Sequence, residues 1–263
     1  MVTSTASSNR INAINGLNLS IDKGETLCVV GESGCGKSTL ASLVMGLEQP
    51  NQGHNISHLK HKHRQEYRQR MQMVFQDPYT ALNPRLTVLH ALVEPLLYNQ
   101  PQLKHQNAID QAMAQLLAVG IDPALAQRFP HQLSGGQRQR INIAHALMVE
   151  PEFIVADEPL SALDVFIQAQ ILNLLAQQQL TYLIFSRNLA AVEHMADRVA
   201  VMYEGPICEI ASREQIFSQP QHPYTQALLA ASPQLYQAPN TRHKLVGDVP
   251  NRIPSQLGCN LQD

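Results

Sequence analysis

Tryptophan is absent, aromatic residues make up only 5% of the chain, and no Phe, Tyr or Trp precedes Tyr67. Cysteine is scarce too. Cys28, Cys35, Cys208 and Cys259 stand without paired metal-ligand spacing, which argues against a zinc framework and fits reduced thiols better than disulfides. A formal net charge of -2 gives no electrostatic reason to expect nucleic acid as a partner. Long apolar runs are also missing: Phe153 to Ala156 and Tyr182 to Phe185 fall far short of the ~20 residues a bilayer requires. Met1 to Arg10 holds no apolar segment of the signal-peptide kind, so the expected location is the cytoplasm.

What is present supports a sizeable core. With 263 residues and 44% hydrophobic content, the chain can form one α/β domain or a core with a subdomain. Leu17, Leu19 and Ile21 alternate with Asn18 and Ser20, which predicts a half-buried strand; Lys23-Gly24 then turns the chain into a continuous apolar strand, Leu27 to Val30. A helix is expected over Ser38 to Leu47, and a turn over Gln49 to Gly53. Residues 54–72 are polar and rich in His, Gln and Arg. A short strand (Met73 to Phe75), a Pro-containing loop (Asp77 to Pro84), and helices near 87–99 and 105–119 follow. Ser134 is a plausible N-cap for a helix running to about Val149. Phe153 to Ala156, Tyr182 to Phe185 and Arg198 to Tyr203 complete the strands, with a helix from Asp164 to Gln178 between the first two. Beyond Pro206 lies a short appended region ending in loop-like sequence.

Gly31-Glu32-Ser33-Gly34-Cys35-Gly36-Lys37-Ser38 fully matches the phosphate-loop pattern G-x-x-x-x-G-K-[ST], with a strand before it and, from Ser38 and Thr39 onward, a helix after it. Glycines let successive N–H groups turn inward around an anion, Lys37 adds a point charge near the β and γ phosphates, and the Ser38 hydroxyl can ligate Mg²⁺. Cys35 fills a variable position and receives no catalytic role. Phe153 to Pro159 puts Asp157 and Glu158 at the C-terminal end of a parallel strand, where ligands of α/β folds bind. Asp157 suits the Mg²⁺ shell, and Glu158 the polarisation of an attacking water. Asp-Glu alone is more often a solvated strand end; the upstream loop and the downstream Ser161-Ala162-Leu163-Asp164 give it weight. Leu133-Ser134-Gly135-Gly136-Gln137 places small residues and free N–H donors at a helix start, where a second phosphate could approach.

Leu133 to Gln137, between such a loop and an Asp-Glu pair, resembles one family, the ATP-binding cassette (ABC) ATPases. The resemblance implies an α/β P-loop NTPase core with an inserted helical subdomain and a small, here shortened, antiparallel β part. It divides residues 1–263 as one cassette: 11–82 and 150–210 as the nucleotide-binding core, 83–149 as the helical signature subdomain, and 211–263 as a C-terminal extension. ATP and Mg²⁺ are the implied cofactors, with Ser38, Gln76 and Asp157 around the metal. Val74-Phe75-Gln76-Asp77-Pro78, followed by Leu82-Asn83-Pro84, looks like the Q-loop of the peptide-importer branch, whose glutamine senses the metal and the γ-phosphate. Ser161 to Asp164 would be the D-loop, which crosses a dimer interface. Ser134, Gly135 and Gly136 would meet the γ-phosphate of ATP on the opposite subunit. His222 to Ala230, then Gly247 to Pro250 and Gly258-Cys259, look like the extension of ATPase subunits of dipeptide, oligopeptide and nickel importers. Only Cys259 is left of the cysteines that hold an iron–sulfur cluster in some relatives, so no cluster is expected.

Departures from the family pattern are as informative. The family places histidine after the strand Tyr182 to Phe185, where this sequence reads Ser186-Arg187-Asn188. A neutral imidazole both donates and accepts hydrogen bonds, whereas a guanidinium only donates and stays charged. Arg187 can hold the phosphate or pair with Glu158 and quench it; slow hydrolysis at this chain's own nucleotide is the expectation. The family's adenine-stacking aromatic near the N-terminus is lacking, and with it stacking worth ~1–3 kcal/mol by analogy with nucleic-acid cases. ATP titrated against GTP should therefore show weak base selectivity. Where the family has a strand with a glycine turn, residues 54–71 are polar, and between Leu175 and Thr181 about one helical turn is missing.

His54, His58, His61 and His63 invite a metal reading through i, i+4 spacing, but no carboxylate or thiol completes a shell, and a polar surface segment is the simpler account. Arg64, Arg68 and Arg70 read as a solvated face, and Ile109, Met113, Leu116 and Leu117 as the core side of a helix. The resemblance thus implies an ATP-hydrolysing subunit of a peptide-type importer at the cytoplasmic face of the membrane. Its partners would be a second ABC subunit, in a homo- or heterodimer, and transmembrane permease subunits; nucleic acid and direct contact with the transported substrate are not expected. Two alternatives stay open: a subunit that holds ATP and completes a partner's site while hardly hydrolysing, and a soluble non-transport ABC protein.

Overall fold

Apolar runs too short for a membrane are long enough for a buried parallel sheet, and that is what they form. The computed structural model describes residues 14, 17–51 and 56–232. Strands β1 (Thr26–Val30), β2 (Met71–Val74), β3 (Phe153–Asp157), β4 (Thr181–Ser186) and β5 (Arg198–Met202) run parallel, and β6 (Ile207–Ser212) pairs antiparallel with β5. The order is β2-β3-β4-β1-β5-β6. In chain order the helices are α1 (Lys37–Val44), α2 (His61–Arg70), α3 (Pro78–Ala81), α4 (Val88–Asn99), α5 (His105–Ala118), α6 (Gly135–Leu147), α7 (Val165–Gln177), α8 (Leu189–Met195), α9 (Arg213–Ser218) and α10 (Pro223–Ala231).

Each central strand is buried on both faces, which is why it reads as a continuous apolar run rather than an alternating one. Cys28, Val30, Ile154, Ala156, Ile184, Val199 and Val201 join a core completed by residues of α4 to α10. Leu27, Val29, Val155, Leu183, Phe185, Ala200 and Met202 share the other core with Leu40 and Ala41 of α1. The phosphate-loop helix and the helix that starts at Ser134 therefore belong to cores on opposite faces of the sheet.

Some expectations need correction. Leu17 to Ile21 forms no strand: exposure alternates as expected and Leu17, Leu19 and Ile21 pack on the α1 core, but no ladder engages them among the described residues. Residues 61–70, read as a polar stretch with no element assigned, form the helix α2. The antiparallel part of the sheet is the β5–β6 pair. The loop from Asp77 to Pro84 contains the short helix α3, capped by Asp77, which accepts the Tyr79 N–H at 2.9 Å. Between α7 and β4 the short connection leaves the ladder intact, from Phe153↔Thr181 to Asp157↔Phe185. Gln179 takes a left-handed φ of 51° there, and the Tyr182 hydroxyl donates to the Leu175 carbonyl at 2.8 Å, tying the helix end to the strand. The start of the chain through residue 13, His54, and the segments around Gly247 to Pro250 and Gly258-Cys259 lie outside the described residues.

Candidate functional site

Gly31 to Thr39 joins the C-terminal end of β1 to α1, with Gly36 at φ 112° as the residue before the helix. Gly31 has no room for a side chain: a Cβ would collide with the Met202 carbonyl oxygen and stand 3.0 Å from Cys35 Sγ. Gly31→Ala should therefore displace the loop from β5 and cost about 1–3 kcal/mol, read as a lower thermal midpoint. Lys37 is 5% exposed, and its ammonium donates to the carbonyls of Gly31 at 2.7 Å and Glu32 at 2.8 Å. Cys35 Sγ lies 3.6 Å from the same nitrogen, and Cys35 is buried.

Across the sheet, β3 carries Asp157 to the same end. Burial pushes the Asp157 carboxyl up from its ordinary value, Glu158 adds to that, and the hydrogen bond from Ser38 together with Lys37 and Arg187 opposes it. Asp157 Oδ1 is buried and has no hydrogen-bond partner among the described residues. A carboxylate oxygen left without a donor is unfavourable, and a hard divalent cation beside the Ser38 hydroxyl would relieve it. The residues present thus fit Mg²⁺. Among the described residues no group of three or more His, Cys, Asp or Glu is otherwise placed to hold a metal; His58 lies on a 3₁₀ turn, and His61 and His63 on α2.

Glu158 is held at φ 46°, a left-handed conformation that turns the chain sharply out of β3. Its N–H donates to the Phe185 carbonyl at 2.9 Å, and its own carbonyl receives Ser161 N–H at 3.2 Å and Ser161 Oγ at 3.0 Å. Arg187 Nη2 lies 2.6 Å from Glu158 Oε2, with the guanidinium side chain 50% exposed and the carboxylate side chain 10% exposed. The hydrogen bond to Glu158, and then its charge, raise the Arg187 pKa further. The two residues line a cavity of about 340 Å³ with Leu160, Ser161, Gln168 and Asn188.

The segment Leu133 to Gln137 is built as its composition predicts. Ser134 Oγ accepts the Gln137 N–H at 3.2 Å, and Gln137 Oε1 accepts the Ser134 N–H at 2.9 Å, a reciprocal capping box. Nothing lies within 4 Å of where a Gly135 Cβ would stand, whereas one on Gly136 would be 3.3 Å from the Ala162 carbonyl. Within one chain, the start of α6 thus packs on Ser161 to Asp164, and Asp164 caps α7 by accepting Ile167 N–H at 3.0 Å. Gln76 is exposed, two residues beyond β2.

Sequence reading passed over the residues that link these parts. Asn142 Nδ2 donates to the Phe75 carbonyl next to Gln76 at 3.0 Å, and buried Gln139 donates to the Pro159 carbonyl next to Glu158 at 3.0 Å. Arg138 donates to the Pro130 carbonyl at 3.0 Å and stacks 3.5 Å from the centre of the Tyr79 ring. An i, i+3 pair of amides on the α6 helix was the only signal, and it names no partner.

A parallel sheet with a phosphate loop after β1, a carboxylate pair after β3 and a glycine-started helix on the far face defines a nucleotide-binding ABC-type cassette. A family model described as ABC transporter matches residues 14–161, and one described as oligopeptide/dipeptide transporter, C-terminal region, matches 208–263. The chain is 44% identical over 263 residues to the dipeptide transport ATP-binding protein DppF of Haemophilus influenzae, covering 95% of this chain and 80% of that one. It is 43% identical over 263 residues to the oligopeptide transport ATP-binding protein OppF of Salmonella typhimurium, with coverage of 95% and 78%. Among solved structures, the dimeric post-hydrolysis ATP-binding cassette MJ0796 bound to ADP and Pi superposes with a TM-score of 0.71 at 27% identity, covering 76% of this chain and 90% of that one. This chain belongs to the ABC transporter ATP-binding proteins of the dipeptide/oligopeptide family.

Proposed function

We propose that this chain is one of two ATP-binding subunits that close over two ATP molecules and so drive transmembrane permease subunits importing peptides or a related substrate such as nickel. Its place would be at the cytoplasmic face of the membrane, without contact to the transported substrate; no helix among the described residues is long and apolar enough to cross a bilayer. The observation that carries nucleotide binding is the corner formed by buried Lys37, Ser38 and the unpartnered Asp157 oxygen. Peptide import draws support from the match over residues 208–263 and from the names of the relatives. The dimer draws support from the dimeric MJ0796 cassette.

In the mechanism, the Gly31 to Thr39 N–H groups and Lys37 orient the phosphates, and Glu158 orients the attacking water. Ser38, Asp157 and Gln76 would hold Mg²⁺, which when bound stabilises charge on the phosphate oxygens. Ser134, Gly135 and Gly136 offer their helix-start N–H groups to the partner's ATP. Closure would be the power step, because only the ATP-loaded pair binds both faces together.

A second reading is favoured by the Arg187–Glu158 pair. With the water-orienting carboxylate engaged, this chain's own nucleotide turns over slowly, and the competent site combines a partner's loop with this chain's Ser134 to Gly136. ATPase assays separate the two. The purified chain alone should hydrolyse slowly, and adding a second ATP-binding subunit of the peptide-importer type that pairs with it should raise phosphate release more than additively. If the chain binds no ATP and changes nothing in the mixture, both readings fail.

A further inference from the structure

A contact joins α10, the last helix among the described residues, to the phosphate loop. Tyr224, on the first turn of α10, is only 1% exposed, and its hydroxyl accepts the Glu32 N–H at 3.2 Å across 192 positions of sequence. The opposite end of that same peptide unit is the Gly31 carbonyl, which accepts the Lys37 ammonium at 2.7 Å. A single peptide plane is thus held from one side by the C-terminal segment and from the other by the lysine that the phosphates would claim.

The tyrosine is itself firmly mounted. Its ring lies 4.4 Å from that of Tyr203, just beyond β5. Glu209 on β6 accepts the N–H groups of Gln221 at 2.9 Å and His222 at 3.0 Å, and His222 Nδ1 accepts the Tyr224 N–H at 3.2 Å, so the start of α10 is anchored to the sheet. Burial pushes the Tyr224 hydroxyl pKa well up, which keeps the group neutral. Glu32, Ser33 and Gly34 are exposed, and the other bonds at this end of the loop come from the loop itself: Lys37 at 2.8 Å and the Cys35 N–H at 3.4 Å both donate to the Glu32 carbonyl.

We infer that Tyr224 is a positioning residue for nucleotide binding: it fixes the Gly31–Glu32 peptide, so that the loop is set before ATP arrives and Lys37 is held at its mouth. The segment matched by the peptide-transporter C-terminal region would then tune the affinity of the phosphate loop from behind. This rests on the reading of Gly31 to Thr39 as the phosphate site. Preorganisation lowers the ordering cost of binding. Loss of one neutral hydrogen bond corresponds to roughly a fivefold change in equilibrium.

The test compares Mg-ATP affinity, saturated turnover and the nucleotide-free thermal midpoint in the full chain and in Tyr224→Phe, which keeps the ring and removes the hydroxyl. The expected result is about fivefold weaker ATP binding, with turnover at saturating ATP within about twofold. Equal affinity in both proteins would overturn the role of Tyr224 while leaving the loop assignment standing. Failure of the unmodified chain to bind ATP would sink the loop assignment and the inference with it. Amide exchange in the unmodified, nucleotide-free chain gives a readout free of any variant. Protection of the Glu32 N–H beyond that of the Ser33 and Gly34 amides supports the contact, and exchange as fast as theirs overturns it.

Discussion

Arg187→His should raise ATP turnover at this chain's own site by about tenfold. Arg187 Nη2 donates to Glu158 Oε2 at 2.6 Å, a short charge-assisted bond on the residue proposed to orient water. Hydrogen bonds to charged groups are worth ~1.5–3 kcal/mol, but a guanidinium half open to solvent belongs near the low end. That lower figure is about one factor of ten in rate if the bond must break before the carboxylate can act. Histidine at this position shortens the side chain, removes the fixed charge and restores a group that can both donate and accept. Arg187→Gln is the discriminating companion: it releases Glu158 without supplying an imidazole. Faster phosphate release in both variants locates the block in the ion pair; a gain confined to histidine locates it in the missing imidazole. If the unmodified chain already hydrolyses as fast as Arg187→His, the second reading is wrong and this site is competent as it stands.

The strands and caps that build the site were legible because their causes are local. A strand buried on both faces must be apolar throughout, and Leu27 to Val30, Phe153 to Ala156 and Tyr182 to Phe185 are. Ser134, expected as a cap, holds α6 through its own side-chain oxygen in a bond spanning three residues, and Asp164, read only as the start of its helix, caps α7 in the same way. Reading failed where the deciding contact is distant or where no period exists. Leu17 to Ile21 carries the right alternation, yet a strand also needs a neighbour, and that neighbour is a property of another segment. The α2 helix is polar all round, so its helix formers leave no apolar stripe to read. α8 and β6 were missed for a related reason: each is short, and β6 is partly exposed along its length. Glu158 at φ 46° could not be foreseen either, since glutamate seldom takes that conformation and only the surrounding bonds hold it there.

The site followed the same division. The position of Gly31 to Ser38 between the end of β1 and the start of α1 was legible from spacing, because a strand, a loop and a helix follow one another there. What couples the motifs was not: Gln139 to Pro159, Asn142 to Phe75 and Tyr224 to Glu32 are side-chain contacts whose partners lie 20, 67 and 192 positions away. The Arg187–Glu158 pair stood as one of two open options for the guanidinium, and the structure adopts it.

Lys37→Ala should weaken ATP binding by on the order of a hundredfold or more. The Lys37 ammonium is buried against two neutral carbonyls, with no carboxylate bonded to it among the described residues. Carbonyl dipoles compensate a buried cation only in part, so the ammonium retains a strong demand for an anion. Truncating one member of a buried, hydrogen-bonded charge pair costs ~2–5 kcal/mol, and each 1.4 kcal/mol is tenfold in affinity. Stability should suffer less. The Gly31 carbonyl loses a donor, at about 1–3 kcal/mol, while β1 and its parallel neighbours keep their full ladders. Lys37→Arg should not rescue binding, because a planar fork cannot replace a compact ammonium in a pocket lined by Gly31, Glu32 and Cys35. Calorimetric titration of Mg-ATP into the three proteins, with thermal midpoints measured alongside, distinguishes the outcomes. An alanine variant that stays folded and binds ATP within a few fold of the unmodified chain would show that the phosphates do not meet Lys37, and the nucleotide site would have to be sought elsewhere.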